Sequence, residues 1–104
     1  MPKEYTLSYL PLFYDDLQQT VTYISEELKN PQAALLLLDE VERAVLERLP
    51  FAESFEPYPT IRKHAHPYYA IYVKNYVVYY VVLDHSVMEV RRFLYKGRDR
   101  RNLL

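Results

Sequence analysis

Positive charge suited to gripping a phosphate or an acidic partner gathers at two places in this sequence. One is Arg62-Lys63-His64-Ala65-His66; the other is the strip from Arg91 to Arg101, with Arg91, Arg92, Lys96, Arg98, Arg100 and Arg101. A guanidinium is planar and presents its donors as a fork that matches two oxygens at once, so arginine suits the holding of oxyanion charge. Histidine titrates near neutrality and can give or take a proton. On an extended chain Arg62, His64 and His66 share one face. A His-x-His pair can also ligate a metal, but no third ligand accompanies it, and neither a metal nor a cofactor is expected. His85 sits in a turn and is read as inert.

Charge is divided along the chain. Residues 1–50 carry four Lys/Arg against nine Asp/Glu, residues 51–104 carry nine against five, and residues 91–104 alone carry six against one. One end is acidic and the other basic, an arrangement that suits a charged docking surface. The whole-chain pI of about 6.3 does not by itself point to nucleic acid. There is no Cys, so disulfides and thiolate metal sites are excluded. No apolar run is long enough for a membrane span, and the N-terminus lacks a signal-peptide pattern, so a cytoplasmic location is expected. A length of 104 residues with half of them apolar suits a single domain, residues 1–104, with one modest core.

The elements that must carry these charges are legible from periodicity. Glu4–Tyr9 alternates apolar and polar residues and reads as a strand. Pro11 suits a first helical turn, after which Phe13, Leu17, Val21, Ile24 and Leu28 form one apolar face, with Asp15, Asp16, Gln18 and Gln19 on the wet side. Asn30 and Pro31 end this helix and start a second, in which Ala34, Leu38, Val41, Val45 and Leu49 face inward. The two helices should pack as an antiparallel hairpin. Residues 51–60 read as an ordered loop and 61–66 as an extended segment. Tyr68–Val73, Tyr76–Leu83 and Val87–Leu94 read as strands, joined by turns at Lys74-Asn75 and Asp84-His85-Ser86. The continuous run Tyr76-Val77-Val78-Tyr79-Tyr80-Val81-Val82-Leu83 suits a central strand covered on both faces. A short helix is expected at the basic end, closing on Leu103 and Leu104. The order β-α-α-β-β-β predicts an α+β fold: a mainly antiparallel sheet with an N-terminal helix hairpin on one face.

Two stretches then stand out. Lys74-Asn75-Tyr76-Val77-Val78-Tyr79-Tyr80 resembles the N-Y-aliphatic-aliphatic-aromatic-Tyr strand of RelE/ParE toxins. Arg92-Phe93-Leu94-Tyr95-Lys96-Gly97-Arg98-Asp99 resembles the R-x-L-[HY]-x-x-R-[DN] ending of the same superfamily. The front end agrees, with Phe13, Asp16-Leu17, Tyr23-Ile24 and the Ala34–Leu38 helix, so the resemblance covers nearly the whole chain. It implies the toxin of a bacterial type II toxin–antitoxin system, with a hairpin on one side of the sheet and a concave basic face on the other. Its implied partner is a cognate antitoxin that wraps the toxin by adding a helix to a groove or a strand to a sheet edge. Twelve tyrosines suit such an interface, because tyrosine offers wide amphipathic contact at low rotamer entropy.

The superfamily divides by target. RelE-like members cleave mRNA in the ribosome, and ParE-like members inhibit DNA gyrase without catalysis of their own. Metal-free RNA cleavage requires an activated 2′-hydroxyl, a held phosphorane and a protonated leaving oxygen. By resemblance Arg92, Tyr95 and Arg98 would be the catalytic set of an mRNA interferase, which is the favoured reading from the residues alone. Arg62, Lys63, His64, Arg91, Arg100 and Arg101 would bind RNA or dock on the target. Arg92 and Tyr95 share a strand face only if the strand ends or bulges between them. Gyrase inhibition, or a non-toxic module that only binds the antitoxin and represses transcription with it, are the alternatives.

Overall fold

The computed structural model describes residues 3–60, 65–98 and 104. Strand β1 (Thr6–Tyr9) leads directly into helix α1 (Pro11–Thr22), a single π-helical turn (Tyr23–Glu27) and helix α2 (Pro31–Arg48). A 3-10 turn (Leu49–Phe51) precedes strands β2 (Tyr69–Val73), β3 (Tyr76–Leu83) and β4 (Val87–Tyr95). The sheet order is β1-β4-β3-β2, with β1 parallel to β4 and the other pairs antiparallel. The expected α+β order and the hairpin before the strands are both present.

Helix α2 starts where the sequence says it should. The Asn30 side-chain oxygen accepts from the Ala33 backbone N–H at 3.1 Å, and Pro31 occupies the first turn, where its missing N–H costs nothing. Asn30→Ala should therefore cost about 1 kcal/mol in chemical denaturation, whereas Asn30→Asp, which keeps the acceptor, should be nearly neutral. The end of the first helix differs from the expected continuous stripe. Leu28 N–H bonds to Tyr23 O across a π turn, and Lys29 adopts a left-handed φ of 53°. The wide turn inserts one residue into the helical repeat. Ile24 stays buried but Leu28 rotates outward and is 56% exposed. In α2 the buried position is Leu37 rather than Leu38, which is only half-buried.

Strand β3 is the spine. Its even-numbered residues Val78, Tyr80 and Val82 face the helices together with Phe13, Leu37, Val41, Val45 and Phe93. Its odd-numbered residues Val77, Tyr79 and Val81 face the other way, against Tyr68, Leu94 and Leu104. Among the described residues, the face opposite the hairpin thus carries a second small apolar cluster, while Arg62, Lys63, Arg100 and Arg101 lie outside them. Tyr58 covers part of it, with its ring 5.1 Å from that of Tyr79 and its N–H on Tyr68 O. Leu104 is buried; the helix expected at the basic end falls on residues 99–103, which lie outside the described ones. Ala65 and His66 form a bend rather than a strand, and 61–64 also lie outside the described residues.

One residue of β4 has no opposite number. Tyr79 pairs with Arg92 and Tyr80 with Val90, so Arg91 is an extra residue in a β-bulge. Before the bulge Met88 and Val90 point to the helices; after it Phe93 does. The side-chain alternation of β4 therefore changes parity at Arg91.

At the far end of the sheet, Glu53 gathers the start of the chain and the β3–β4 turn. Tyr5 donates to Glu53 Oε1 at 2.8 Å, His85 Nδ1 lies 2.6 Å from Glu53 Oε2, and Lys3 reaches the His85 carbonyl. His85 thus has a structural contact despite its exposed ring. Burial alone would raise the Glu53 pKa, but the hydrogen bonds from Tyr5 and His85 and the nearby positive charges outweigh it and hold the carboxyl below its ordinary range. Partial burial, and the carboxylate beside it, push the Tyr5 phenol up to about 12. A depressed carboxyl contributes stability above its unfolded pKa and loses it as pH falls through the folded value. A raised phenol contributes below its unfolded pKa, near 10, and loses it as pH rises towards 12. Melting temperature should therefore fall at both extremes, and Tyr5→Phe should flatten the alkaline limb between pH 10 and 12. An alkaline limb unchanged in Tyr5→Phe would rule out this assignment.

Candidate functional site

The cationic strip begins where β1 runs out. β1 pairs with β4 only from Val87 to Val90, and Leu10 N–H then bonds Val90 O as the chain turns into α1. Beyond that point the edge of β4 faces the helix instead of a strand. Asp16, one turn into α1, takes over the pairing: its Oδ2 accepts from the Phe93 backbone N–H at 3.0 Å and from Arg92 Nε at 2.7 Å. Its Oδ1 accepts from Arg92 Nη2 at 3.0 Å. This is a two-bond guanidinium–carboxylate fork in a nearly closed setting, the two side chains being 12% and 7% exposed. The Asp16 bond raises the Arg92 pKa, with desolvation acting against it. Asp16 is therefore buried, which corrects its expected place on the wet side of α1. A positional signal existed: Asp16 stands three residues after Phe13, on the inward stripe of the helix, where a carboxylate requires a partner.

Arg91 is committed in a similar way. Its Nε donates to Glu89 at 2.8 Å, and its guanidinium lies 5.7 Å from the Tyr68 ring centre on the second face. Desolvation lowers its pKa, but the bonds to Tyr68 and Glu89 prevail and the net shift is upward. Tyr95 pairs with Tyr76 across the hairpin, their rings at 5.9 Å, and is half exposed. The bulge precedes Arg92 and none lies between 92 and 95, so the two side chains leave β4 on opposite faces. Arg92 starts on the second-face row and reaches over the edge to α1. The expected Arg92–Tyr95 dyad is therefore not assembled.

Arg92 and Arg98 are brought together. Both line an open groove of about 390 Å³ whose other wall is the polar face of α1: Leu12, Asp15, Asp16, Gln18 and Gln19. Two backbone bonds fix the turn that carries Arg98. Lys96 N–H donates to Asn75 O at 2.8 Å, and Arg98 N–H donates to Tyr95 O at 3.0 Å. Gly97 lies beneath the Tyr95 ring, where a Cβ would approach Cε2 to 2.8 Å. Sequence reasoning did not find Gln18 and Gln19, because polar residues on a helix face look like ordinary solvated positions. Of the other expected docking residues, Arg62, Lys63, His64, Arg100 and Arg101 lie outside the described residues.

The profile of the ParE toxin of the type II toxin–antitoxin system parDE matches residues 7–100. The chain belongs to the ParE toxin family. Among solved structures it is similar to a chain of the chromosomal ParDE toxin–antitoxin system from P. aeruginosa, with a TM-score of 0.72 and 13% identity over 88% of this chain and 95% of that one. At that identity the likeness speaks for the fold. No curated protein matches the chain. A ParE toxin is the toxin half of a two-protein system, so a cognate antitoxin is its partner. No helix among the described residues of this ParE toxin is long and apolar enough to cross a membrane.

Proposed function

We propose that this toxin, working as the single domain 1–104, arrests growth by docking on DNA gyrase without catalysis of its own. The docking surface is the groove between α1 and the end of β4, with Arg98 and the α1 glutamines at its rim. One observation carries this reading: the arginine that RNA cleavage would need is engaged by Asp16, and the tyrosine that would accompany it leaves the opposite face of the strand. Phosphoryl chemistry requires an arginine and a proton-transferring group converging on one point. Docking requires only a preformed, charged surface. Membership in the ParE family favours the same target.

The test pairs two assays on the purified toxin and on cells expressing it. The expected result is blocked DNA supercoiling by gyrase, relieved by the antitoxin, with intact mRNA during growth arrest. Normal supercoiling at saturating toxin would overturn the reading. Codon-linked mRNA cuts in the same cells would then return the function to ribosome-associated cleavage, and a harmless chain would indicate an antitoxin-binding co-repressor.

A further inference from the structure

We propose that Gly97 is a positioning residue of the docking surface: its missing side chain lets the Tyr95 ring lie over the turn that carries Arg98, so that an aromatic contact stands next to the charged one. The sequence holds a single glycine, and it is this one. Backbone freedom does not explain it. Lys29, Lys74, Asp84 and His85 adopt left-handed φ without being glycine, whereas Gly97 has no positive φ. Space does explain it. A Cβ at this position would stand 2.8 Å from Tyr95 Cε2 and 3.3 Å from Cδ2, inside the separation of about 3.5 to 4.0 Å at which carbon atoms pack.

The Tyr95 ring is held from its other side as well. It meets the Tyr76 ring edge-on with centres 5.9 Å apart, and Tyr76 stacks at 5.1 Å on Phe93, which is buried in the helix core. Tyr95 is nonetheless 54% exposed. An exposed ring fixed on two sides is contact area whose ordering cost is met on folding, and aromatic and arginine side chains are the anchors that protein interfaces favour. The partner surface that suits it is acidic, with an apolar side chain to meet the ring. This inference rests on the docking role proposed for the groove that Arg98 lines, and adds what the partner must offer beside it.

The experiment measures growth arrest at matched toxin levels, gyrase supercoiling and melting temperature. It compares wild type, Gly97→Ala, Tyr95→Leu, Tyr95→Phe and the double variant of Gly97→Ala with Tyr95→Leu. The Tyr95 ring is at the surface and can swing aside, so Gly97→Ala should melt near wild type yet need about tenfold more toxin for half-maximal arrest. Tyr95→Leu should lose a similar factor, and Tyr95→Phe, which keeps the ring, should stay within about twofold of wild type. The double variant should lose no more than Tyr95→Leu alone, since Gly97 acts only through the ring. Losses that multiply to about a hundredfold in the double variant would overturn the proposal. Full arrest by Gly97→Ala, or a melting temperature that falls in step with arrest, would overturn it equally. If Gly97→Ala does not fold, arrest by Tyr95→Leu is read together with the NMR shift of the Gly97 α protons. The ring current should displace that shift in wild type and Tyr95→Phe but not in Tyr95→Leu, and one shift common to all three would overturn the proposal. Intact supercoiling alongside growth arrest would defeat the target proposed above and leave the arrest data to decide this inference. A wild type that does neither would overturn both.

Discussion

Asp16→Ala should lower the stability of the domain by about 3 to 5 kcal/mol, the cost of breaking a buried ion pair by removing one member. The carboxylate joins three groups from 76 and 77 residues away: two guanidinium nitrogens of Arg92 and the amide of Phe93. Its removal takes the two-bond fork from a guanidinium that is 12% exposed and the acceptor from an edge N–H that no strand among the described residues covers. A domain of this size has only about 5 to 15 kcal/mol in total, so the variant should melt far below wild type. Asp16→Asn keeps an acceptor for Phe93 but loses the charge, and should fall between the two. Combining Asp16→Ala with Arg92→Met removes both ionic groups and should recover much of the loss, since an apolar pair of similar volume is often tolerated where a broken ion pair is not. A loss below about 1 kcal/mol for Asp16→Ala in urea denaturation would contradict the account.

Arg98→Glu should instead leave the fold intact and remove the activity. Arg98 is exposed on a short turn, and surface substitutions away from special features stay within about 0.5 kcal/mol. Its charge stands at the rim of the α1–β4 groove, where reversal turns an attraction for an acidic partner surface into repulsion. The concentration of toxin that half-inhibits supercoiling should rise by about tenfold or more, with a steeper loss at low salt, as expected for charge-steered association. Gln18→Ala should act in the same direction and more weakly. If Arg98→Glu inhibits as well as wild type, the groove is not the docking surface. The pair of variants separates two roles within one strip: Arg92 is expected to act on the fold, and Arg98 on the proposed docking.

Local signals in the sequence were strong wherever they were self-contained. The Tyr76–Leu83 run, the Asn30-Pro31 helix start and the two β-turns involve neighbours along the chain, and each forms as its chemistry directs. What was missed depends on distant partners. The inward position of Asp16 calls for a partner, but that partner is Arg92, 76 residues away, and nothing near Asp16 in the chain identifies it. The parallel pairing of β1 with β4 and the Leu104 cover join the two ends of the chain, and no short-range pattern encodes them. The π turn at Tyr23–Glu27 carries no distinctive residue, so the outward rotation of Leu28 was invisible to a 3.6-residue period. For the site, residue type alone could not tell that Arg92 is forked onto Asp16 while Arg98 lines the open groove.

The extra residue at Arg91 sets how this strand tolerates changes in length. With Arg91 deleted, the strand would regain strict alternation and every side chain after it would keep its face, because Val90 would still oppose Tyr80 and Arg92 would still oppose Tyr79. Phe93 would stay in the helix core opposite Val78, Leu94 on the second face opposite Val77, and Tyr95 opposite Tyr76. A single-codon deletion here is thus mild, whereas one at a paired position in the middle of β3 would carry the residues on one side of it to the opposite faces. A relative with the same count of residues but no bulge would aim an arginine at the position of Arg92 at the opposite face, so in this fold an arginine aligned without a gap is the same arginine in space only when the bulge before it is shared.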